Sequence, residues 1–373
     1  MKQEFLKQFQ EKLLRWYDRN ARTLPWRDNP TPYRVWISEI MLQQTRVDAV
    51  LPYFEKFMEE VPDIESLAKI SDDRLLKLWQ GLGYYNRAMN LKKAANLIME
   101  KFGGNIPSDP EKLKALPGIG PYTAGAIASI AFQARVPAVD GNVLRVISRL
   151  TANTGDITKT TVKKEIEDWL WQALPSSRVG DFNQALMDLG ANVCLPNGEP
   201  QCQKCPLQSL CEGYRLGIAD AIPVKEKKKE RMIEQKTVFL ILYRDKIAIR
   251  QRPNKGLLSK LWEFPHVDGH LSGSECIETL KGWGMQPRRL IPLGSAKHLF
   301  THREWHMIGY AVFAEKEEDD QGFIWASPQE IEKSYSVPSA YKFYWKLIRK
   351  WEKDGDMIWQ LDRPTDNLTK EKD

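Results

Sequence analysis

The chain has 373 residues, of which 42% are hydrophobic and 28% charged, with a net charge of +6 at pH 7. That length accommodates two domains, each able to bury a core, and the composition is that of a globular protein. No run approaches the roughly eighteen apolar residues of a membrane span, and so modest a charge does not by itself point to nucleic acid.

The start, Met1-Lys2-Gln3-Glu4-Phe5-Leu6-Lys7, is charged and amphipathic, without the apolar core of a signal peptide. A cytoplasmic location is therefore expected, where clustered cysteines serve metals rather than disulfides. Residues 1–221 read as helical. Phe5, Phe9, Leu13, Leu14 and Trp16 recur at helical spacing, as do Leu67, Ile70, Leu75, Leu76, Leu78 and Trp79, then Leu91, Ala94, Ala95, Leu97 and Ile98. Pro and Gly punctuate these segments. Between them, Glu39 sits among apolar residues in Val35-Trp36-Ile37-Ser38-Glu39-Ile40-Met41. It is either on the solvent stripe of a helix or buried. Burial would raise its pKa and let it hold a proton near neutral pH, as a general acid must.

Leu116-Pro117-Gly118-Ile119-Gly120-Pro121-Tyr122 lies between two helical stretches. Gly118 and Gly120 permit a sharp turn and close approach to a partner. The helix that follows offers its N-terminal N–H groups, which suit a phosphate. The alternative is a simple packing corner. Val139-Asp140-Gly141-Asn142 comes next, and Asp140 is placed to begin a helix. It can be an N-cap, a fixed negative charge, or both. Cys194, Cys202, Cys205 and Cys211 then form a C-x7-C-x2-C-x5-C run, leaving only Cys276 elsewhere. Four thiolates suit structural zinc or an iron–sulfur cluster. Zinc sites usually pair two C-x2-C knuckles, and only one is present here, which favours [4Fe–4S].

Lys225 to Arg231 is a charge run, read as a linker or a solvated helix face. Thr237–Tyr243, Arg244-Asp245 and Lys246–Arg252 read as strand, tight turn and strand. A further strand is expected over Arg303 to Phe313 and a closing helix over Tyr341 to Trp351. The expected organisation is a helical domain over 1–223, a linker over 224–235, an α+β domain over 236–352 and a polar tail over 353–373.

The hairpin strongly resembles a helix–hairpin–helix element, and with the downstream cysteines the region resembles the endonuclease III superfamily of DNA glycosylases. The resemblance implies an all-α glycosylase domain holding a [4Fe–4S] cluster on Cys194, Cys202, Cys205 and Cys211. The first cysteine gap is seven rather than the family's six, and the extra residue falls in a Pro- and Gly-containing loop. Within the superfamily, Leu24-Pro25-Trp26-Arg27, Trp36-Ile37-Ser38-Glu39-Ile40-Met41-Leu42-Gln43-Gln44-Thr45 and Gly81-Leu82-Gly83-Tyr84-Tyr85 resemble the adenine DNA glycosylases of the MutY type.

That resemblance implies removal of adenine mispaired with 8-oxoguanine or guanine in duplex DNA, by a monomer that leaves an abasic site. Glu39 is then the general acid and Asp140 the balance for positive charge on the sugar, with Tyr122 and Asn142 beside them. Arg22, Leu24, Trp26 and Gln184 line the adenine pocket. Gln44, Leu82, Tyr84, Gly118 and Gly120 contact DNA. Bifunctional relatives carry a lysine in the hairpin; Tyr122 stands there, and a phenol cannot form a Schiff base. An endonuclease III-type glycosylase with lyase activity is the alternative.

Gly256-Leu257-Leu258-Ser259-Lys260-Leu261-Trp262-Glu263-Phe264-Pro265 resembles the start of a Nudix-type domain. The stretch from Ser274 to Gly284 lacks the glutamate pattern of the hydrolytic members, so a binding module is expected. Phe300-Thr301-His302 resembles the Phe-Ser-His loop with which such domains contact the oxidised guanine.

Overall fold

The computed structural model describes residues 2–196, 199–226, 230–317 and 322–353. Residues 197–198 of the first cysteine gap, 227–229 of the expected linker and 354–373 of the expected tail lie outside the described residues. The chain forms two compact units, Met1–Ile70 with Arg87–Lys228, and Ser71–Asn86 with Lys229–Asp373. Among the described residues no helix is long and apolar enough to cross a membrane.

The first unit is helical. Lys2–Asn20 buries Phe9 and Leu13; Val47–Glu60 buries Val50, Phe54 and Phe57; Asn86–Phe102 buries Leu91, Ala94, Ala95 and Ile98. Each set recurs every three or four residues and so lies on one face. The Pro32–Leu42 helix differs, because Tyr33 and every residue from Val35 to Met41 are buried. A helix apolar nearly all round belongs in the interior. It packs against Val47–Glu60 and Pro121–Phe132, and so carries Glu39 into the centre of the unit.

The hairpin joins the Pro110–Lys114 and Pro121–Phe132 helices. Gly118 turns it at φ +79°, a left-handed conformation that favours glycine. Gly120 caps the second helix without a side-chain bond, and Pro121 takes its first turn. Farther on, the Gly141–Leu150 helix packs against Val179–Asn192. They meet at Gly190, where an added Cβ would lie 2.6 Å from Cβ of Asn142.

The second unit is built on a mixed sheet. Its strands are β1 (Met232–Tyr243), β2 (Lys246–Gln251), β3 (Trp262–Glu263), β4 (His266–Asp268), β5 (Pro287–Leu299), β6 (Arg303–Ala314) and β7 (Ile324–Ala326). The order is β3-β2-β1-β6-β5, with β4 on β1 and β7 on β2. β1 and β6 run parallel from Met232↔Arg303 to Leu242↔Phe313, and β5 returns antiparallel along β6. Val238, Leu240 and Leu242 face a core closed by Tyr341, Tyr344 and Ile348. Phe239 and Ile241 face a second core with Cys276 and Leu280. Covering both faces explains the unbroken apolar run of β1.

The segment Ser71–Asn86 belongs to this unit through specific contacts. Nζ of Lys77 donates to the Tyr335 carbonyl at 3.1 Å, and Nε2 of Gln80 to the Val337 carbonyl at 2.8 Å. Asp72 accepts from Nζ of Lys260 at 2.7 Å.

Candidate active site

A cleft of about 1400 Å³ opens in the first unit. Arg22, Leu24, Trp26, Glu39, Gln44, Gly120, Tyr122, Asp140, Asn142 and Gln184 all line it. Glu39 is 6% exposed and stands on the interior helix. Tyr122, in the first turn of the hairpin helix, donates its phenol to Oε2 of Glu39 at 2.5 Å. Burial raises the Glu39 carboxyl, the Tyr122 hydrogen bond lowers it, and the nearby Asp140 charge raises it again; the outcome is about 7. The apolar neighbours that bury the helix thus also prepare its one carboxyl to keep a proton near neutrality.

Asp140 is the N-cap of the Gly141–Leu150 helix: its Oδ1 accepts from the Val143 amide at 2.7 Å. Its Oδ2 accepts from Nδ2 of Asn142 at 2.8 Å. Burial pushes this carboxyl up, while the Val143 and Asn142 donors and the Arg145 charge hold it down; the net direction is upward. Capping and a fixed position in the cleft therefore coincide.

Two arginines and a buried aspartate frame the other wall. Asp188, on the Val179–Asn192 helix, accepts from Nε of Arg22 at 2.7 Å and from Nη1 of Arg27 at 2.7 Å. Burial alone would raise the Asp188 carboxyl, but the Arg27 hydrogen bond and the charges of Arg27 and Arg22 bring it below its ordinary value. Sequence reasoning had Arg22 in the pocket but missed Arg27 and Asp188. Asp188 is separated from Arg22 by 166 residues, and in the chain it reads as one polar position on an amphipathic helix.

Arg145 and Arg149 were also missed. Nη2 of Arg145 donates to Oδ1 of Asn142 at 2.8 Å, and Nε to the Cys194 carbonyl at 2.7 Å. Nη1 of Arg149 reaches Sγ of Cys194 at 3.2 Å, and Sγ of Cys211 approaches the Arg149 carbonyl at 3.3 Å. One helix therefore joins the Asp140 side of the cleft to the cysteines. Cys194, Cys202, Cys205 and Cys211 are free thiols lining one small apolar cavity. Burial pushes the Cys205 thiol up to about 12, with the neighbouring cysteines adding to it. Among the described residues, no group of three or more His, Cys, Asp or Glu side chains closes on a single-ion position.

The remaining candidates lie in the second unit. Gly81, Gly83 and Tyr84 take left-handed backbone conformations. Leu82 is buried, whereas Tyr84 is 46% exposed. Phe300, Thr301 and His302 turn β5 into β6, with the Phe300 amide bonded to the Arg303 carbonyl at 2.9 Å. The Phe300 ring packs edge-on to Trp305 at 5.0 Å. The Tyr84 and Thr301 hydroxyls are 3.0 Å apart, so the two expected DNA-contacting segments meet. On the Gly273–Gly282 helix, Glu275 is occupied in a capping box with Ser272.

Comparison with known proteins agrees with both halves. The family described as "HhH-GPD superfamily base excision DNA repair protein" matches residues 37–172, and "NUDIX domain" matches residues 237–347. The adenine DNA glycosylase of Mus musculus is 37% identical over 354 residues, covering 79% of this chain and 68% of the relative. That of Buchnera aphidicola subsp. Schizaphis graminum is 38% identical over 311 residues, covering 82% of this chain and 87% of the relative. Among solved structures, a thermostable thymine-DNA glycosylase superposes with a TM-score of 0.52 at 29% identity, over 58% of this chain and 99% of its own. A non-covalent endonuclease III–DNA complex, at 24% identity and a TM-score of 0.50, matches in fold.

Proposed function

The chain belongs to the adenine DNA glycosylase family of base-excision repair enzymes, and from that premise we propose how its cleft divides the work. The enzyme removes adenine. Its substrate is duplex DNA in which the adenine lies opposite 8-oxoguanine or guanine. Extruding the base costs a few kcal/mol, which the exposed Gln44 and Tyr84 offset from within the helix, whereas Leu82, expected from the sequence to join them, is buried. The hairpin grips a phosphate through the amides after Gly120, and Arg22, Leu24, Trp26 and Gln184 hold the extruded adenine.

Glu39 gives its proton to N7 of adenine. The C1′–N9 bond then breaks, its electron pair leaves with the base, and the sugar takes up positive charge. Asp140, held by Asn142 and the Val143 amide, faces that charge. Water adds to C1′ and gives up a proton to a carboxylate, which leaves an abasic site. The observation that carries this reading is the buried Glu39–Tyr122 pair, with the carboxyl held at about 7, in a cleft also lined by Asp140. Tyr122 occupies the hairpin position where lyase relatives carry a lysine. Lys163 also lines the cleft but is exposed on the Thr160–Ala173 helix.

A [4Fe–4S] cluster suits the four thiols. The four thiols line one small apolar cavity, and the run holds a single C-x2-C pair rather than the two knuckles usual for zinc. Arg149 already donates toward Cys194. When bound, the cluster supplies cross-linking of the 194–211 loop and no bond-breaking chemistry. Phe300, Thr301 and His302, with Thr301 bonded to Tyr84, read the base opposite the adenine.

An excision assay on duplexes with A opposite 8-oxoguanine, G or T tests the whole. The expected result is excision opposite 8-oxoguanine and G, with strand breaks only after alkali. Breaks without alkali would favour a lyase.

A further inference from the structure

Arg87, in the first turn of the Asn86–Phe102 helix, is 8% exposed. Its Nη1 donates to three backbone carbonyls, those of Ile40 and Met41 at 2.8 Å each and of Gln43 at 2.6 Å. Its Nη2 reaches Oγ1 of Thr45 at 3.3 Å. Ile40 and Met41 lie in the last turn of the Pro32–Leu42 helix, where carbonyls lack intrahelical donors and carry the negative end of the helix dipole. The buried guanidinium supplies donors to that helix end.

The third carbonyl, that of Gln43, belongs to a strained turn that follows the helix. Gln43 leaves the helix at φ −57° and ψ 112°, and Gln44 follows at φ 58°. A left-handed glutamine persists only where surrounding contacts over-determine it. The Thr45 amide closes the turn onto the Leu42 carbonyl at 3.2 Å, and Nε2 of Gln43 donates to Oγ1 of Thr123 on the hairpin helix at 3.3 Å. Gln44 is left exposed at the cleft.

We propose that Arg87 is a positioning residue for DNA binding: by clamping the Gln43–Thr45 turn it presents Gln44 to the duplex already ordered. The turn then loses its freedom on folding rather than on association, which preserves affinity. Lysine replaces it poorly: an ammonium has donors for the three carbonyls that converge on Nη1, but it lacks the second nitrogen of the planar fork that reaches Thr45, and its flexible stem does not fix the donors in place. The proposal rests on the reading that Gln44 enters the DNA.

The test uses the full chain and a duplex carrying a non-hydrolysable 2′-fluoro-adenosine opposite 8-oxoguanine for affinity, with the cleavable duplex for single-turnover excision at saturating enzyme. Arg87→Lys, Arg87→Met, Gln44→Ala and the double variant Arg87→Lys/Gln44→Ala are compared, each normalised to its active fraction. Arg87→Lys is expected to weaken binding by about tenfold, as for loss of a pre-ordered contact, with the saturated excision rate within about threefold. In the Gln44→Ala background the same change should cost less than about twofold, since residues acting as one unit are not additive. If Arg87→Met does not fold, Arg87→Lys, which keeps the buried charge, decides.

Additive losses in the double variant overturn the proposal. So does unchanged affinity in Arg87→Lys when Gln44→Ala is impaired, or a loss confined to the saturated excision rate, which would assign Arg87 to the helix bearing Glu39. Wild-type affinity in Gln44→Ala would remove Gln44 from the reading of the cleft, and this proposal with it.

Discussion

Replacing Glu39 by glutamine keeps the shape of the side chain and a partner for the Tyr122 phenol, but removes the transferable proton. A positioned general acid contributes about 10²–10⁴ in rate, or about 3–5 kcal/mol of barrier. Single-turnover excision by Glu39→Gln should fall by at least that range, while the affinity for the lesion duplex changes little. The same carboxyl sets a pH dependence. With its value at about 7, the acid is half protonated near neutrality, so the wild-type rate should decline as pH rises through 7.

Stability should move the opposite way in the variant. The Glu39 carboxyl is raised from an ordinary 4.5 to about 7. Its neutral form is favoured in the folded state, a contribution fully present below pH 4.5 and lost as pH rises through about 7. That interval corresponds to roughly 3 kcal/mol. Glu39→Gln has no such dependence. Its Tm should match wild type near pH 4.5, exceed it progressively up to about pH 7, and stay several degrees higher beyond. Thermal scans across that range, beside the excision assay, check both halves. Excision within tenfold of wild type would refute the acid assignment, and a Tm difference independent of pH would refute the buried, proton-holding state.

Tyr122→Phe removes the donor that pulls the Glu39 carboxyl down. The alkaline limb of the rate profile should move to higher pH, while the maximal rate falls by about tenfold from poorer alignment; a limb moving to lower pH would contradict the hydrogen bond's direction. Thr301→Ala breaks the 3.0 Å contact with Tyr84 and should reduce the preference for 8-oxoguanine over guanine, whereas Thr301→Ser should retain it. Equal preference ratios in all three proteins would remove that loop from recognition. The purified protein should be brown with broad visible absorbance, and chelating its iron should lower Tm with loss of colour. A colourless protein holding stoichiometric zinc would overturn the cluster assignment.

Local patterns in the chain carried much of this. Helical periodicity over the first 221 residues, the Gly118 and Gly120 hairpin, the Asp140 cap, the cysteine spacing and the tight turn at Arg244-Asp245 reflect short-range physics: side-chain period, backbone freedom and unpaired helix-end amides. Even the burial of Glu39 was half visible, since every neighbour from Val35 to Met41 except Ser38 is apolar. The long β5 strand was not visible, because Pro287–Leu299 contains two prolines and one glycine, with register shifts at Pro287/Arg289 and Pro292/Gly294, and takes its shape from β6. Nor could the chain show that Ser71–Asn86 belongs with the second unit, since its polar side chains find carbonyls near Tyr335 and Val337.

The chain by itself determined the chemistry on offer: one embedded carboxyl, one capping aspartate, a phenol in place of an amine, and four thiols. Tertiary structure decided which charges those groups answer to. Asp188 neutralises Arg22 and Arg27, Arg145 ties Asn142 to the Cys194 loop, and Arg87 closes the helix behind Gln44. A buried charge must find its partners wherever the fold brings donors and acceptors together, and that distance in sequence leaves no periodic trace along the chain.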